Sequence, residues 1–75
     1  MTIFVLAFDR PRGVIVERHD FPASESDAAW AERDRLIALH LADPAIEVVL
    51  LGSASESDLR LTHGRYFANA APQSR

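Results

Sequence analysis

The stretch Ser24-Glu25-Ser26-Asp27-Ala28-Ala29-Trp30-Ala31-Glu32-Arg33-Asp34-Arg35-Leu36-Ile37-Ala38-Leu39-His40-Leu41-Ala42-Asp43 decides how this chain folds. Ala, Leu, Glu and Arg dominate it, all good helix formers, so it reads as one amphipathic helix. Ser24 or Ser26 suits the N-cap, and Ser24 with Asp27 three residues on has the form of a capping box with Asp standing in for Glu. Glu25 and Asp27 set negative charge against the positive end of the helix dipole. Pro44 cannot continue the helix and draws Asp43 away from helical dihedrals, so the stop falls near 41–43. Trp30, Ile37 and Leu41 recur at seven- and four-residue spacing and mark the core face, widened by Ala29, Leu36 and Ala38. Glu32, Arg35 and Leu39 point the opposite way, and Glu32 and Arg35 are spaced to pair. Arg33 and His40 flank the apolar stripe, where buried stems and solvated polar ends are expected; the alternative is that they line a pocket or a partner surface.

Upstream, Thr2-Ile3-Phe4-Val5-Leu6-Ala7-Phe8 is a continuous apolar run rich in β-branched and aromatic residues. It suits a strand buried on both faces. Asp9-Arg10-Pro11-Arg12-Gly13 is turn chemistry: Pro presets one dihedral and Gly permits a positive one. Val14 to His19 reads as a second strand, antiparallel to the first across a loop of about five residues. Phe21 stands where an apolar staple precedes a helix.

Downstream, Ala45 to Leu51 reads as a third strand ended by Gly52. Counting directions along strand, strand, helix and strand makes strands two and three parallel. The most apolar strand, the first, then lies between them. The order is 2-1-3, a split β-α-β unit with the helix on one face. Strands two and three are then edges, each able to pair with another chain. Ser55 with Asp58 repeats the cap pattern and Gly64 suits the position past a helix end, so a short helix is expected from about Glu56 to His63. The competing reading is a strand, from the alternation Leu59-Arg60-Leu61. Tyr66 and Phe67 are aromatics fit to close the core. Residues 68–75 have no apolar periodicity and read as a disordered tail. The fold class is therefore α+β, β-β-α-β-α, in one domain spanning 1–67.

Composition narrows the function classes. The chain has 75 residues, 48% of them hydrophobic and 25% charged, which is ordinary for a globular domain. A core of this size is marginal, and many such chains gain burial by dimerising. The net charge of −3 makes nucleic acid an unfavourable partner. The absence of Cys removes disulfides, thiolate catalysis and Cys-ligated zinc. It fits a cytoplasmic protein. All the basic residues are Arg, the signature of a GC-rich genome rather than of selected anion contacts. The apolar run 3–8 is too short for a signal peptide or a membrane span, and no membrane partner is expected.

No catalytic, cofactor-binding or metal-binding motif emerges. His19, His40 and His63 have no metal-ligand spacing with one another. Gly52-Ser53-Ala54-Ser55-Glu56 carries Glu where a nucleophile elbow needs its second Gly. The same loop has one Gly and no Lys, and Glu56 and Asp58 repel a phosphate. Thr62-His63-Gly64-Arg65-Tyr66-Phe67 is the densest run of binding-type residues. Arg10, Arg12, His63, Arg65 and Tyr66 form the candidate binding patch. The expected function is a small non-enzymatic interaction or regulatory module, homodimeric through a sheet edge or face, with itself or another protein as partner. The alternative is a small ligand-binding domain or enzyme, its site joining His63, Arg65 and Tyr66 to the Asp9–Arg12 loop.

Overall fold

The computed structural model describes residues 1–67. The reading of 68–75 as a tail lies outside the described residues. The chain runs β1 (Thr2–Asp9), β2 (Val14–Pro22), a 3-10 turn (Ala23–Glu25), α1 (Ser26–Leu39), β3 (Ile46–Ser53), α2 (Glu56–Thr62) and a second 3-10 turn (Gly64–Tyr66). The sheet order is β2-β1-β3, with β1 antiparallel to both neighbours. This is the α+β architecture that the sequence predicts, with β2 and β3 at the edges.

β1 is the common wall of two cores. Its side chains alternate across the sheet, as strand geometry requires. Ile3, Val5 and Ala7 meet Ala29 and Leu36 of α1, with Phe21, Ile46, Val48 and Leu50 beside them. Phe4, Leu6 and Phe8 meet Leu59, Tyr66 and Phe67 on the other face, with Ile15, Val49 and Leu51. Val5, Leu6, Leu36 and Leu59 are fully buried. Each such aliphatic side chain contributes about 1.5–3 kcal/mol relative to an exposed one. The second face is thus covered by α2 and the turn after it. Tyr66 and Phe67 close the core as expected, and Phe8 packs edge-on against Tyr66 with ring centroids 5.0 Å apart.

The local signals divide cleanly. Ser55 caps α2 by accepting the Asp58 N–H at 3.1 Å, so 56–62 is helix and not strand. Gly13 takes a positive φ of 71° in the β1–β2 turn. Gly64 does not; it opens the second 3-10 turn after His63 ends α2. The expected cap at Ser24 or Ser26 is absent: residues 23–25 form the 3-10 turn, and Glu25 stands at the N-cap with no side-chain hydrogen bond. The helix also ends early, at Leu39. His40 gives its N–H to Leu36 and Leu41 gives its own to Ala38, which tightens the last turn ahead of Pro44.

The orientation of α1 differs most from expectation. Trp30 is 51% exposed and Leu41 80% exposed, whereas Ala29 and Leu36 are buried. The helix is turned by about one residue, roughly 100°, from the face that its bulkiest side chains mark. Three observations account for this. Ala29 permits close approach to the sheet. Turning Trp30 inward would swing Glu32 away from its partners on β2. Trp30 is also covered from outside by the Arg33 guanidinium, 5.2 Å from its ring. Arg33 and His40 consequently lie nearer the buried face than its flank, and His40 Nε2 is buried without a hydrogen-bond partner among the described residues, not solvated.

Candidate functional site

The outer edge of β3 is the feature of this fold with the most chemistry left unsatisfied. Its backbone polarity follows from one bond. Arg10 donates its N–H to the Ala45 carbonyl at 2.9 Å, one step beyond the pair Asp9–Ile46. Bonded and non-bonded pairs alternate along an antiparallel ladder. Glu47, Val49 and Leu51 therefore turn their peptide groups to β1. Val48, Leu50 and Gly52 turn theirs outward. The other side of β1 agrees: Ala23 donates to the Met1 carbonyl at 3.2 Å, so the odd residues of β1 serve β2 and the even ones serve β3. Among the described residues, nothing pairs with the outward groups of Val48, Leu50 and Gly52. β3 carries one charge, Glu47, and it is already matched: Arg65 Nη2 donates to both its oxygens at 2.9 and 3.1 Å.

Beside this edge, on the α1 side, lies a cavity of about 230 Å³ lined by Ile37, His40, Leu41, Asp43, Pro44, Ile46 and Val48. Its walls are about half aliphatic and half polar, the polar part including His40 and Asp43. Asp43 is occupied, accepting the Ala45 N–H at 3.0 Å.

A second cluster joins β2 to α1. Glu17 and His19 are two apart on one strand, so both face α1, where Glu32 and Arg35 meet them. His19 Nε2 lies 2.6 Å from Glu17 Oε2 and 3.1 Å from Glu32 Oε2. Both neighbours are carboxylates, so the ring carries a proton on that nitrogen. Arg35 Nη2 donates to Glu17 at 2.7 Å and to Glu32 at 2.5 Å. The His19 hydrogen bond holds the Glu17 carboxyl below its ordinary range, with Arg35 adding to it. Arg35 does the same for Glu32. Ligand atoms of Glu17, His19 and Glu32 lie within 4.8 Å of one another, and one imidazole with two carboxylates is a donor set for a divalent transition metal. The guanidinium already fills the cation position, so a metal would have to displace it. The arrangement acts as an ion-pair strap. Composition and spacing missed it; the Glu17-x-His19 alternation facing a Glu32/Arg35 pair was its only trace.

Of the predicted patch residues, Arg10, Arg12, Arg65 and Tyr66 are engaged by their side chains within the fold. Arg65 Nη2 donates to the Tyr66 hydroxyl at 2.7 Å, and that hydroxyl donates to Glu47 Oε2 at 3.0 Å. Arg65 also stacks 4.3 Å from the Tyr66 ring centroid. Burial, then Glu47, raises the Tyr66 phenol above its usual pKa. Arg10 Nη2 donates to the Pro44 carbonyl at 2.6 Å. Arg12 pairs with Asp9 at 3.6 Å and gives Asp9 its backbone N–H at 3.2 Å. His63 ends α2, donating its N–H to Leu59. Arg65 and Tyr66 thus converge on Glu47, while Arg10 and Arg12 brace the β1–β2 turn.

Set against protein-family models, curated proteins and solved structures, the chain gives no match. No helix among the described residues is long and apolar enough to cross a membrane.

Proposed function

We propose that this chain is a non-enzymatic interaction module that forms a homodimer by antiparallel pairing of β3 with β3 of a second copy. One observation carries the reading: three outward peptide groups, at Val48, Leu50 and Gly52, lie along an edge with no Pro and no charge at those positions, its one charge, Glu47, being already paired with Arg65. Such an edge templates another strand. A twofold axis makes it self-complementary, since the same groups donate and accept on both copies. The product is a six-stranded sheet of order β2-β1-β3-β3-β1-β2.

The patch residues support the alternative ligand site less well. Arg65 and Tyr66 are held by Glu47 and Arg10 by Pro44, so a ligand there would have to break bonds the fold already makes.

Light scattering across a concentration series, with and without about 0.5 M salt, tests the proposal. Main-chain bonds and apolar contacts are little screened, so a dimer mass that persists in salt is the expected result. A monomer throughout the high-micromolar range would overturn it.

A further inference from the structure

Pairing along one eight-residue edge is a small interface, at the low end of what holds a stable dimer. Side chains flanking the edge must add to it, and two features of the α1 side are placed to do so.

The first is Gly52 with Met1. Gly within a strand weakens it and marks close approach of another group. Here the group is Met1: its Sδ and Cε lie 3.4 and 3.5 Å from where a Gly52 Cβ would stand. The missing side chain lets Met1 lean from the β1 column over β3 to the sheet edge, where it is 72% exposed. The second feature is the cavity between Ile37, His40, Leu41, Ile46 and Val48. At about 230 Å³ it is below the roughly 300–1,000 Å³ of small-molecule sites, but roomy for an amino-acid side chain.

The register brings the two together. A twofold axis that keeps both α1 helices on one side of a continuous sheet must pass through a residue of β3. Centring it on Leu50 uses every outward peptide group: Leu50 faces itself and Val48 faces Gly52 of the partner subunit. Centring it on Val49 would require the Ile46 N–H, which is already given to Asp43 at 3.1 Å. In the Leu50 register Val48, a wall of the cavity, stands opposite Gly52 of the partner subunit, and Met1 of the partner subunit lies over that glycine.

We propose that each Met1 seats in its mate's cavity, a reciprocal lock that fixes the register; the inference rests on the β3 pairing proposed above. The flexible, polarizable thioether suits an irregular pocket of mixed aliphatic and polar lining, and the exposed Leu41 at the rim closes over it. The lock accounts together for a strand glycine, an exposed methionine and an unfilled cavity beside the edge.

Met1 is the only methionine, so a sample labelled at the methionine methyl, with Met1 retained by intact mass, gives a single resonance. Mixed with copies carrying protonated Ile and Leu methyls, it should shift as the dimer forms and show intermolecular contacts to Ile37, Leu41 and Ile46. Leu41→Asp, at a position too exposed to matter for folding, should weaken the dimer by about tenfold. A dimer whose methionine methyl neither shifts nor shows those contacts would overturn the lock and leave edge pairing standing. A dimer unaffected by Leu41→Asp would also overturn the lock. A monomer at every concentration would overturn both.

Discussion

The two edges of this sheet are built to opposite rules. On β2, the ladder assigns the outward positions to Arg18, Asp20 and Pro22. Pro22 has no N–H to offer. Arg18 and Asp20 form an ion pair along the edge, 2.9 Å between Arg18 Nη2 and Asp20 Oδ2. Val16 is a bulge residue: the register steps from Ala7–Glu17 to Phe8–Ile15 and leaves it unpaired and 47% exposed. Proline, paired charge and bulge are three separate devices against edge-to-edge association. β3 has none of them at its outward positions. A chain that guards one edge threefold and leaves the other apolar separates the two by function, and this asymmetry is the strongest reason to place the interface on β3.

The sharpest way to break the comparison uses two adjacent valines. Val49→Pro removes a ladder N–H aimed at β1, and the fold should lose about 3 kcal/mol, enough to unfold much of a domain this small. Val48→Pro removes an N–H aimed outward, which an edge strand tolerates. Circular dichroism should find the second variant folded, and light scattering should find it monomeric. If both variants unfold, or if Val48→Pro remains a dimer, the outward assignment of Val48 is wrong.

The elements that carry this asymmetry were legible to different degrees. Strand order was readable because Thr2–Phe8 is apolar on both faces and direction counting then leaves one arrangement. The second helix was readable because Ser55 and Asp58 are a local signal satisfied by local bonds. The rotation of α1 was not. Its apolar residues surround the helix: Ala28, Ala29, Trp30, Ala31, Ala38 and Leu39 offer more than one stripe. The choice between stripes is made by Glu32 and Arg35 reaching Glu17 and His19, contacts between residues 13 to 18 apart that no local spacing encodes. The cavity was hidden for the same reason, since it exists only once Leu41 is turned outward. Of the candidate patch, Arg65 and Tyr66 were recognisable as partners for something, but Glu47 as that partner needed the sheet register.

A smaller effect is expected from removing the guard on β2. Arg18 lies 5.3 Å from the Phe4 ring centroid and donates to Glu56 at 2.8 Å as well as to Asp20, so it covers the core and blunts the edge at once. Arg18→Ala should destabilise the fold by about 1 kcal/mol. Placed on the Val48→Pro background, where β3 is closed, it should also restore concentration-dependent association, now through β2. Sedimentation velocity of the double variant reads this directly. A strictly monomeric double variant would mean that Pro22 and the Val16 bulge guard β2 without the ion pair.

The smallest effect separates the same edge by pH. Hydrogen bonds from Arg18, then Arg60, lower the Glu56 carboxyl from its ordinary 4.5 to about 2. A depressed folded-state value contributes stability that is complete above the unfolded value and lost as pH falls through the folded one. The loss should therefore run from about pH 4.5 down to about 2. Glu56 is partly exposed, and solvent screening keeps the contribution to about 1 kcal/mol or less. Glu56→Gln should flatten that part of the stability curve while leaving stability near neutral pH slightly reduced. It should leave the β3 dimer untouched, because the bonds of Glu56 run to Arg18 on β2 and Arg60 on α2 and, among the described residues, none to β3. A dimer constant that changed with Glu56→Gln at neutral pH would couple the two edges, which their independent hydrogen-bond sets give no reason to expect.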